Sequence, residues 1–184
     1  MAITGASGAI YGWRLLEKLS RDPANEVHLI LSRSGERTAF LEMGKSAADF
    51  RALARNWYPV EDIGCQLASG SFPVDAMAIV PCSIHTMSAI AHGISSNLIV
   101  RAADVTLKER RKLVLSVRES PLHLGHLRSM TALAEMGAII APPMPAFYLK
   151  PTSIDDIVEH TVDRLLSLLG SPVPTAQQWT GGAR

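Results

Sequence analysis

The stretch MAITGASGAIYGWRLL, residues 1–16, decides the fold. Its apolar start runs into a turn with glycine at positions 5 and 8, after which Ile10, Leu15 and Leu16 recur at helical spacing. A strand, a tight loop and a helix in that order form the first part of a βαβ unit. Such a unit predicts a parallel sheet whose crossover helices cover its faces.

The rest of the chain repeats this alternation. We predict strands over residues 27–31, 76–80, 113–117 and 138–141, and helices over 86–92, 97–110, 124–136 and 153–169. Ser153 and Asp156 have the spacing of a capping box at the last helix. Residues 56–73 contain prolines and glycines without periodicity and are predicted as loop with short irregular pieces. The predicted fold class is α/β: a single doubly wound, Rossmann or flavodoxin-like parallel sheet with helices on both faces.

Length and composition narrow the class of function. The 184 residues suit one domain, which we expect to cover residues 1–170, with residues 171–184 as a C-terminal tail. The formal net charge of +1 argues against nucleic acid or anionic lipid as a partner. No apolar run approaches the roughly 18 residues of a membrane span. A hydrophobic content of 47% instead favours a homo-oligomer.

The cysteines and the start of the chain indicate a compartment. Cys65 and Cys82 stand far apart without ligand spacing, which argues against a disulfide framework and a zinc site. No basic and apolar leader opens the chain, so no signal peptide is expected, although Met1 falls where the first strand should already be running. We therefore expect a cytoplasmic protein.

The strand ends mark the expected binding region. In open α/β sheets, ligands bind beyond the carboxyl ends of the strands, where the strand order reverses. That rule selects Ser32 and residues 5–8, 81–86, 118–121 and 142–148. Backbone N–H groups of the glycine loop suit a phosphate at a helix start, although tight packing also explains such a loop. The loop lacks the spacing of a dinucleotide fingerprint and of a P-loop.

Polar side chains beyond these strands have both a functional and an ordinary explanation. Ser83 and Thr86 suit either hydrogen bonds to a phosphate and other polar groups of a ligand or plain helix capping. Glu119 follows a buried strand and is the best candidate for acid–base work, unless it only pairs with Arg118. Cys82 is expected to be a small buried hydrophobe without a catalytic role.

Two cations stand seven residues apart, at a spacing that places both on one helical face. Arg101 and Lys108 can clamp a phosphate there, while a solvated basic stretch is the alternative. Tyr148 has three possible roles: an aromatic wall of the ligand site, a hydrogen-bond donor to a phosphate, or an anchor for its own loop. The six histidines show no shared metal-ligand spacing, so no metal is expected.

Several motifs follow one another along the chain: TGASGAIYG at 4–12, PCS at 81–83, RAADV at 101–105, LKERR at 107–111, RE at 118–119, Pro121 and PAFY at 145–148. Together these motifs resemble one family, the UbiX-type flavin prenyltransferases. The resemblance covers nearly all of residues 1–170, with the motifs in the same order and at comparable spacing.

The resemblance implies a metal-independent transfer of a dimethylallyl group from dimethylallyl phosphate to reduced FMN. The product would be prenylated FMN for a UbiD-type decarboxylase. Residues implied to hold FMN are Gly5, Ala6, Ser7, Ser32, Ser83, Ile84, His85, Thr86 and Arg118. Residues implied to hold the prenyl phosphate are Arg101, Lys108, Tyr148 and Arg164. Proton handling is implied for Ser7, Glu42 and Glu119.

The family commonly forms dodecamers, which implies a large homo-oligomer here. Lys112 and Ser116 stand where the family frequently has proline, and Trp179 resembles an aromatic residue that covers the prenyl site. Two other functions stay open: an FMN-dependent cysteine decarboxylase of the same fold, and a non-catalytic FMN carrier subunit of an aromatic-acid decarboxylase. The pair Arg101 and Lys108 favours the prenyltransferase, because cations suit a phosphate leaving group. Whether the dimethylallyl donor is a monophosphate or a diphosphate also stays open.

Overall fold

The computed structural model describes residues 1–171 of the chain. Within that range six strands and seven helices follow one another. The strands are β1 (Ala2–Ile3), β2 (His28–Leu31), β3 (Asn56–Tyr58), β4 (Ala76–Cys82), β5 (Lys112–Val117) and β6 (Ile139–Ile140). The helices are α1 (Ala9–Arg21), α2 (Arg33–Met43), α3 (Ala47–Leu53), α4 (Ile84–Ala91), α5 (Leu98–Lys108), α6 (Leu124–Glu135) and α7 (Ile154–Leu169). Short 3-10 turns cover Gln66–Ala68 and Phe147–Leu149.

The strands form one sheet in which every pair runs parallel, in the order β3-β2-β1-β4-β5-β6. The chain first moves outward from β1 to β3 and then returns to place β4 on the other side of β1. The strand order therefore reverses between β1 and β4, where a doubly wound sheet opens its binding crevice. The predicted fold class is confirmed.

Side chains alternate between the two faces of the sheet. On one face, Ile79 and Leu115 belong to a buried cluster with residues of α4, α5 and α6. On the other face, Ile3 packs with residues of α1, α2 and α3, and Val80 packs with residues of α1 and α7. Each fully buried aliphatic side chain stabilises the fold by roughly 1.5–3 kcal/mol. Helices on both faces thus hold the strand ends in fixed positions.

The last helix begins and ends as local rules require. Ser153 Oγ accepts from Asp156 N, and Asp156 accepts from Ser153 N, so the predicted capping box is confirmed. Gly170 follows the helix with a φ of 88°, in the left-handed region that glycine adopts without strain.

The prediction of loop with short irregular pieces over residues 56–73 misses one strand of the sheet. Asn56–Tyr58 forms the edge strand β3, which pairs with residues 28–30 of β2. A strand of three residues is too short for an alternating pattern to show, and Pro59 follows it directly. The sequence therefore hides this strand among loop signals.

Candidate functional site

The ends of β1 and β4 meet where the strand order reverses. Thr4 follows β1 and is buried; its hydroxyl donates to the Pro81 carbonyl at 2.8 Å and accepts from Ser83 N at 2.8 Å. This contact joins the glycine loop after β1 to the serine loop after β4. Sequence reasoning missed Thr4 as part of the site, because one hydroxyl at a strand end gives no periodic signal.

The glycine loop also lies against the start of α2. A Cβ added at Gly5 would lie 2.5 Å from Ser34 Cβ, so this position requires glycine. Ser32 caps α2 by accepting from Gly35 N at 2.9 Å, and its own N–H donates to the Ile3 carbonyl at 3.0 Å. The predicted site residues Gly5 and Ser32 are thus neighbours, with Ser34 as a further hydroxyl that sequence reasoning missed.

Glu42 reaches the start of α1 from α2. Its Oε2 accepts from Gly8 N at 3.0 Å and from Ala9 N at 2.9 Å. The partial positive charge of a helix N-terminus stabilises a carboxylate at this position. Two N–H groups at this helix start, where we expected a phosphate, therefore hold a carboxylate of the same chain, and the exposed Ser7 directly precedes the first of them.

The predicted flavin contacts Ser83, Ile84, His85 and Thr86 lie where β4 passes into α4. Ser83 Oγ accepts from Thr86 N at 3.3 Å and donates to Thr86 Oγ1 at 3.1 Å. The capping explanation for Ser83 is thus correct, and it fixes the start of α4 at the carboxyl ends of the strands. Thr86 is buried, whereas His85 is exposed.

Cys82 closes β4 just before this loop. The side chain is buried, and burial raises the pKa of its thiol to about 12. At neutral pH it therefore stays protonated and unreactive. This agrees with the expected role of Cys82 as a small buried hydrophobe.

Arg118 and Glu119 follow β5, and both are exposed. Arg118 N donates to the Cys82 carbonyl at 3.1 Å, which ties this loop to the end of β4. Glu119 Oε1 accepts from Ser120 N at 2.9 Å. Among the described residues, the Arg118 guanidinium has no hydrogen-bond partner and forms no ion pair with Glu119. The structure thus does not show the salt bridge that was the ordinary alternative for Glu119.

Arg101 and Lys108, which we call the cation pair, lie on one face of α5, as their spacing predicts. Arg101 Nε donates to the Ala68 carbonyl at 3.2 Å. A Cβ added at Gly70 would lie 2.6 Å from Lys108 Nζ. Both cations therefore face the same segment, residues 66–70. Each also has an acidic partner, since Arg101 pairs with Asp104 at 2.8 Å and Lys108 pairs with Glu109.

The length of β5 separates Lys108 from Glu119. Lys108 ends α5 shortly before β5 begins, and Glu119 lies just beyond the end of that strand. A six-residue strand with the flanking residues spans about 20 Å. Within one chain, these two side chains lie at opposite edges of the sheet.

The other two residues expected to hold a phosphate lie in different places. Tyr148 follows β6 in the turn Phe147–Leu149, and its ring meets that of His160 edge to face, with centroids 6.3 Å apart. Arg164 is exposed in the last two turns of α7, far from the start of that helix at the carboxyl ends of the strands. Trp179 lies outside the described residues.

The structure gathers most of the predicted residues at one edge of the sheet, which we call the carboxyl edge because the strands end there. These residues are Gly5, Ala6, Ser7, Ser32, Glu42, Ser83, Ile84, His85, Thr86, Arg118, Glu119 and Tyr148. It leaves Lys108 and Arg164 away from this edge and Arg101 engaged with the segment 66–70.

The donor set of the carboxyl edge fits FMN. Hydroxyl groups of Ser7, Ser32 and Ser34 lie beside the exposed glycine loop, and Arg118 supplies a cation at the next loop. Hydroxyl and guanidinium donors are the groups that bind phosphate and the polar rim of a flavin. Within residues 1–171, no cluster of three or more His, Cys, Asp or Glu side chains is placed to hold a metal ion.

A cavity of about 780 Å³ lies at the opposite, amino edge of the sheet, beside Met1, Met77 and Thr106. Its lining includes none of the predicted site residues. Strand topology and donor chemistry both favour the carboxyl edge as the ligand site, because ligands of open α/β sheets bind beyond the carboxyl ends of the strands. None of the helices within residues 1–171 combines the length and the apolarity needed to cross a bilayer.

Comparison with known proteins identifies relatives over nearly the whole chain. The Flavoprotein family profile matches residues 1–166. Flavin prenyltransferase UbiX of Archaeoglobus fulgidus is 52% identical over 173 residues, which cover 94% of each chain. The crystal structure of AnUbiX in complex with FMN and dimethylallyl pyrophosphate has a TM-score of 0.95 at 42% identity, covering 99% of this chain and 96% of that one. A dodecameric FMN-dependent UbiX-like decarboxylase from Escherichia coli has a TM-score of 0.95 at 46% identity, covering 98% and 97%.

These similarities agree with the resemblance that the sequence motifs carry. The matched residues include every loop of the carboxyl edge described above, from the glycine loop to Tyr148. The chain belongs to the Flavoprotein family and, within it, to the UbiX-type flavin prenyltransferases.

Proposed function

We propose that this chain transfers a dimethylallyl group from dimethylallyl phosphate to reduced FMN, without a metal ion. The observation that carries the proposal is the convergence of the loops after β1, β4 and β5. Hydrogen bonds through Thr4, Pro81 and Cys82 join these loops at the carboxyl edge. The AnUbiX complex supports both ligand classes, since it contains FMN and dimethylallyl pyrophosphate on the same fold.

The proposed FMN site lies between the ends of β1 and β4. We assign to it the residues Gly5, Ala6, Ser7, Ser32, Ser83, Ile84, His85, Thr86 and Arg118. Arg118 suits this role because its exposed guanidinium is free to form charge-assisted hydrogen bonds. When bound, reduced FMN supplies the electron-rich ring system that accepts the prenyl group.

The prenyl phosphate site is proposed to need cations from a second copy of the chain. Lys108 lies about 20 Å from Glu119 within one chain, a distance that one side chain does not bridge. Arg101, Lys108 and Arg164 would therefore reach the carboxyl edge of a neighbouring copy, beside its Tyr148. Large apolar side chains exposed on the single chain support such association; they include Phe40, Leu41, Ile94, Met144 and Phe147. The dodecameric relative supports a homo-oligomer of that size.

The cations would act on the bond that breaks. The leaving phosphate takes the electron pair of the C–O bond and gains negative charge, which fixed cations stabilise in the transition state. The remaining allylic fragment is cationic, so these cations do not stabilise it. An apolar wall that excludes water protects this fragment from hydrolysis. We propose Tyr148 as part of that wall and as a donor to the phosphate.

The dimethylallyl group is proposed to close a fourth ring on the flavin, and Glu119 is the proposed acceptor of the proton that the flavin loses in this ring closure. Its carboxylate is exposed at the carboxyl edge and has no ion-pair partner in Arg118 among the described residues. Ser7 and Glu42 would relay protons at the other side of the crevice, since the Glu42 carboxylate lies at the Gly8 and Ala9 N–H groups. A positioned base of this kind accelerates a reaction by roughly 10² to 10⁴.

We further propose that residues 1–170 form the catalytic domain and that a UbiD-type decarboxylase receives the product. The two free thiols, Cys65 and Cys82, support a cytoplasmic location.

The deciding experiment is an anaerobic incubation of the purified protein with reduced FMN and dimethylallyl phosphate, followed by mass spectrometry of the flavin. We expect a flavin that is heavier by one dimethylallyl group, with dimethylallyl pyrophosphate as a parallel donor. Unmodified FMN bound to folded protein with both donors would contradict the proposal and favour a carrier. In that case the protein would deliver unmodified FMN to an apo-decarboxylase.

A further inference from the structure

Thr4 forms a buried junction at the point where the strand order reverses. The side chain is 2% exposed. Its hydroxyl donates to the Pro81 carbonyl and accepts from Ser83 N, each at 2.8 Å, and Thr4 N donates to the same carbonyl at 3.2 Å. The hydroxyl therefore acts both as a hydrogen-bond donor and as an acceptor.

The junction compensates for an irregular part of β4. The pairing of β4 with β5 shifts in register between Ile79 and Cys82. Pro81 lies inside this irregular part and has no N–H to donate to a neighbouring strand. The Thr4 side chain supplies contacts here that a regular ladder would make through the backbone.

Two proposed FMN loops depend on this junction. Ser83 N is held by Thr4, and Ser83 Oγ in turn caps α4 through Thr86 N. Between Pro81 and Ser83, the Cys82 carbonyl accepts from Arg118 N at 3.1 Å. Thr4 itself directly precedes the glycine loop. A change at the Thr4 hydroxyl would thus shift the serine loop and Arg118 relative to the glycine loop.

We propose that Thr4 is a positioning residue for the flavin site: it sets the spacing of the three loops without touching the ligand. The inference rests on the proposed function, because it assigns a role within the FMN site. Removing the hydroxyl leaves the part-buried Ser83 N–H and the Pro81 carbonyl without this partner, which costs more than losing the bond alone.

The test compares the substitutions Thr4→Val, Thr4→Ser and Thr106→Val in the full chain. Valine keeps the shape of threonine and removes the hydroxyl, whereas serine keeps the hydroxyl. Thr106 is the matched control, since it is 4% exposed and its hydroxyl donates to the Ala102 carbonyl within α5, at 2.7 Å. The readouts are the FMN dissociation constant from flavin fluorescence, the visible spectrum of the bound flavin and the thermal midpoint.

We expect Thr4→Val to weaken FMN binding by about 5- to 100-fold, the scale of a polar group that loses its hydrogen-bond partner inside the protein. We expect Thr4→Ser to bind FMN with an affinity within about twofold of the parent. Thr106→Val should leave FMN affinity unchanged, although it lowers the thermal midpoint by about as much as Thr4→Val does. A merely structural role would lower the midpoint without this difference in affinity.

Parent-like FMN affinity in folded Thr4→Val would overturn the inference, as would equal losses of affinity in both valine variants. If Thr4→Val does not fold, Thr4→Cys replaces it, since a thiol is a weaker partner for both contacts. We then expect an intermediate loss of affinity, and parent-like affinity would count against the inference. A parent protein that binds no FMN would instead refute the proposed function together with this inference.

Discussion

The carboxyl edge and the cation pair on α5 are built in opposite ways. At the carboxyl edge, residues far apart in sequence are joined by buried hydrogen bonds, as Thr4 is to Pro81 and Ser83. Arg101 instead pairs with Asp104 on its own helix, and Lys108 pairs with Glu109 directly after that helix. Both cations face the segment 66–70. A single chain therefore completes the carboxyl edge. The cation pair, in contrast, is proposed to bind a prenyl phosphate at the carboxyl edge of a neighbouring copy.

The largest effect is expected at the carboxyl edge from Glu119→Gln. The amide keeps the size and the hydrogen bonding of the side chain but cannot accept the proton, so prenylated FMN should form roughly 10² to 10⁴ times more slowly. Single-turnover assays on saturated protein measure this rate. FMN binding and the thermal midpoint should match the parent, and an unchanged rate would reduce Glu119 to a surface residue.

A smaller, different effect is expected from Lys108→Ala in the cation pair. Loss of a charge-assisted contact should raise the concentration of dimethylallyl phosphate needed for half-maximal rate by about 10- to 100-fold. FMN affinity should not change. Lys112→Ala is the control, because Lys112 is exposed at the same edge of the sheet but has no assigned role. Equal losses of FMN and prenyl phosphate affinity would refute the division between the two regions.

Glu42→Ala should affect stability at the carboxyl edge. The Glu42 carboxylate accepts from Gly8 N and Ala9 N, and loss of such a cap costs about 1 kcal/mol. For a chain of this length that lowers the thermal midpoint by roughly 2–4 °C. Glu135→Ala, an exposed substitution at the end of α6, should cause no fall. A parent-like midpoint in Glu42→Ala would mean that the contact adds nothing to stability.

The smallest perturbation is thiol labelling, which compares the two regions directly. Cys82 closes β4 with a pKa raised to about 12 by burial, whereas Cys65 is half-buried next to the turn that contacts Arg101. At pH 8 we expect a fast reaction at Cys65 and none at Cys82 until the protein unfolds. Rapid labelling of both thiols in the folded protein would show that the end of β4 is open.

The raised pKa of Cys82 also makes the stability of the fold depend on pH, in a direction that can be predicted. The unfolded chain loses the Cys82 proton above the ordinary value of 9.0, whereas the folded chain keeps it up to about 12. The unfolded state then binds fewer protons, so the Cys82 contribution to the free energy of unfolding falls as pH rises through this window. Denaturant titrations at pH 8 and 10 should show the fall in the parent and a smaller one in Cys82→Ala.

Sequence patterns predict the features that local physics sets. The alternation of apolar strands and helices is enough for the doubly wound sheet, and Ser153 with Asp156 forms the predicted capping box. The topology rule then places residues such as Ser83 and Arg118 at one edge, because parallel strands all end there.

Features that depend on contacts between distant segments cannot be predicted from local sequence patterns. Glu42 reaches α1 across 33 positions, and Thr4 meets Pro81 across 77. The strand at Asn56–Tyr58 is missed because it owes its conformation to pairing with β2 and has no pattern of its own. Spacing correctly places Arg101 and Lys108 on one face, but it does not tell what that face meets.

Hybrid oligomers test most directly whether two copies build one site. Glu119→Gln and Lys108→Ala chains, each with its own affinity tag, are co-expressed, and assemblies that carry both tags are assayed for prenylated FMN. The concentration of dimethylallyl phosphate is kept well below the parental half-maximal value, where the Lys108→Ala variant is also slow. If Lys108 serves the carboxyl edge of a neighbouring copy, random mixing leaves about a quarter of the sites with both groups intact, and the hybrids should regain about that share of the parental rate. If each chain completes its own site, every site lacks one group. Hybrids no faster than the average of the two single variants would contradict the account.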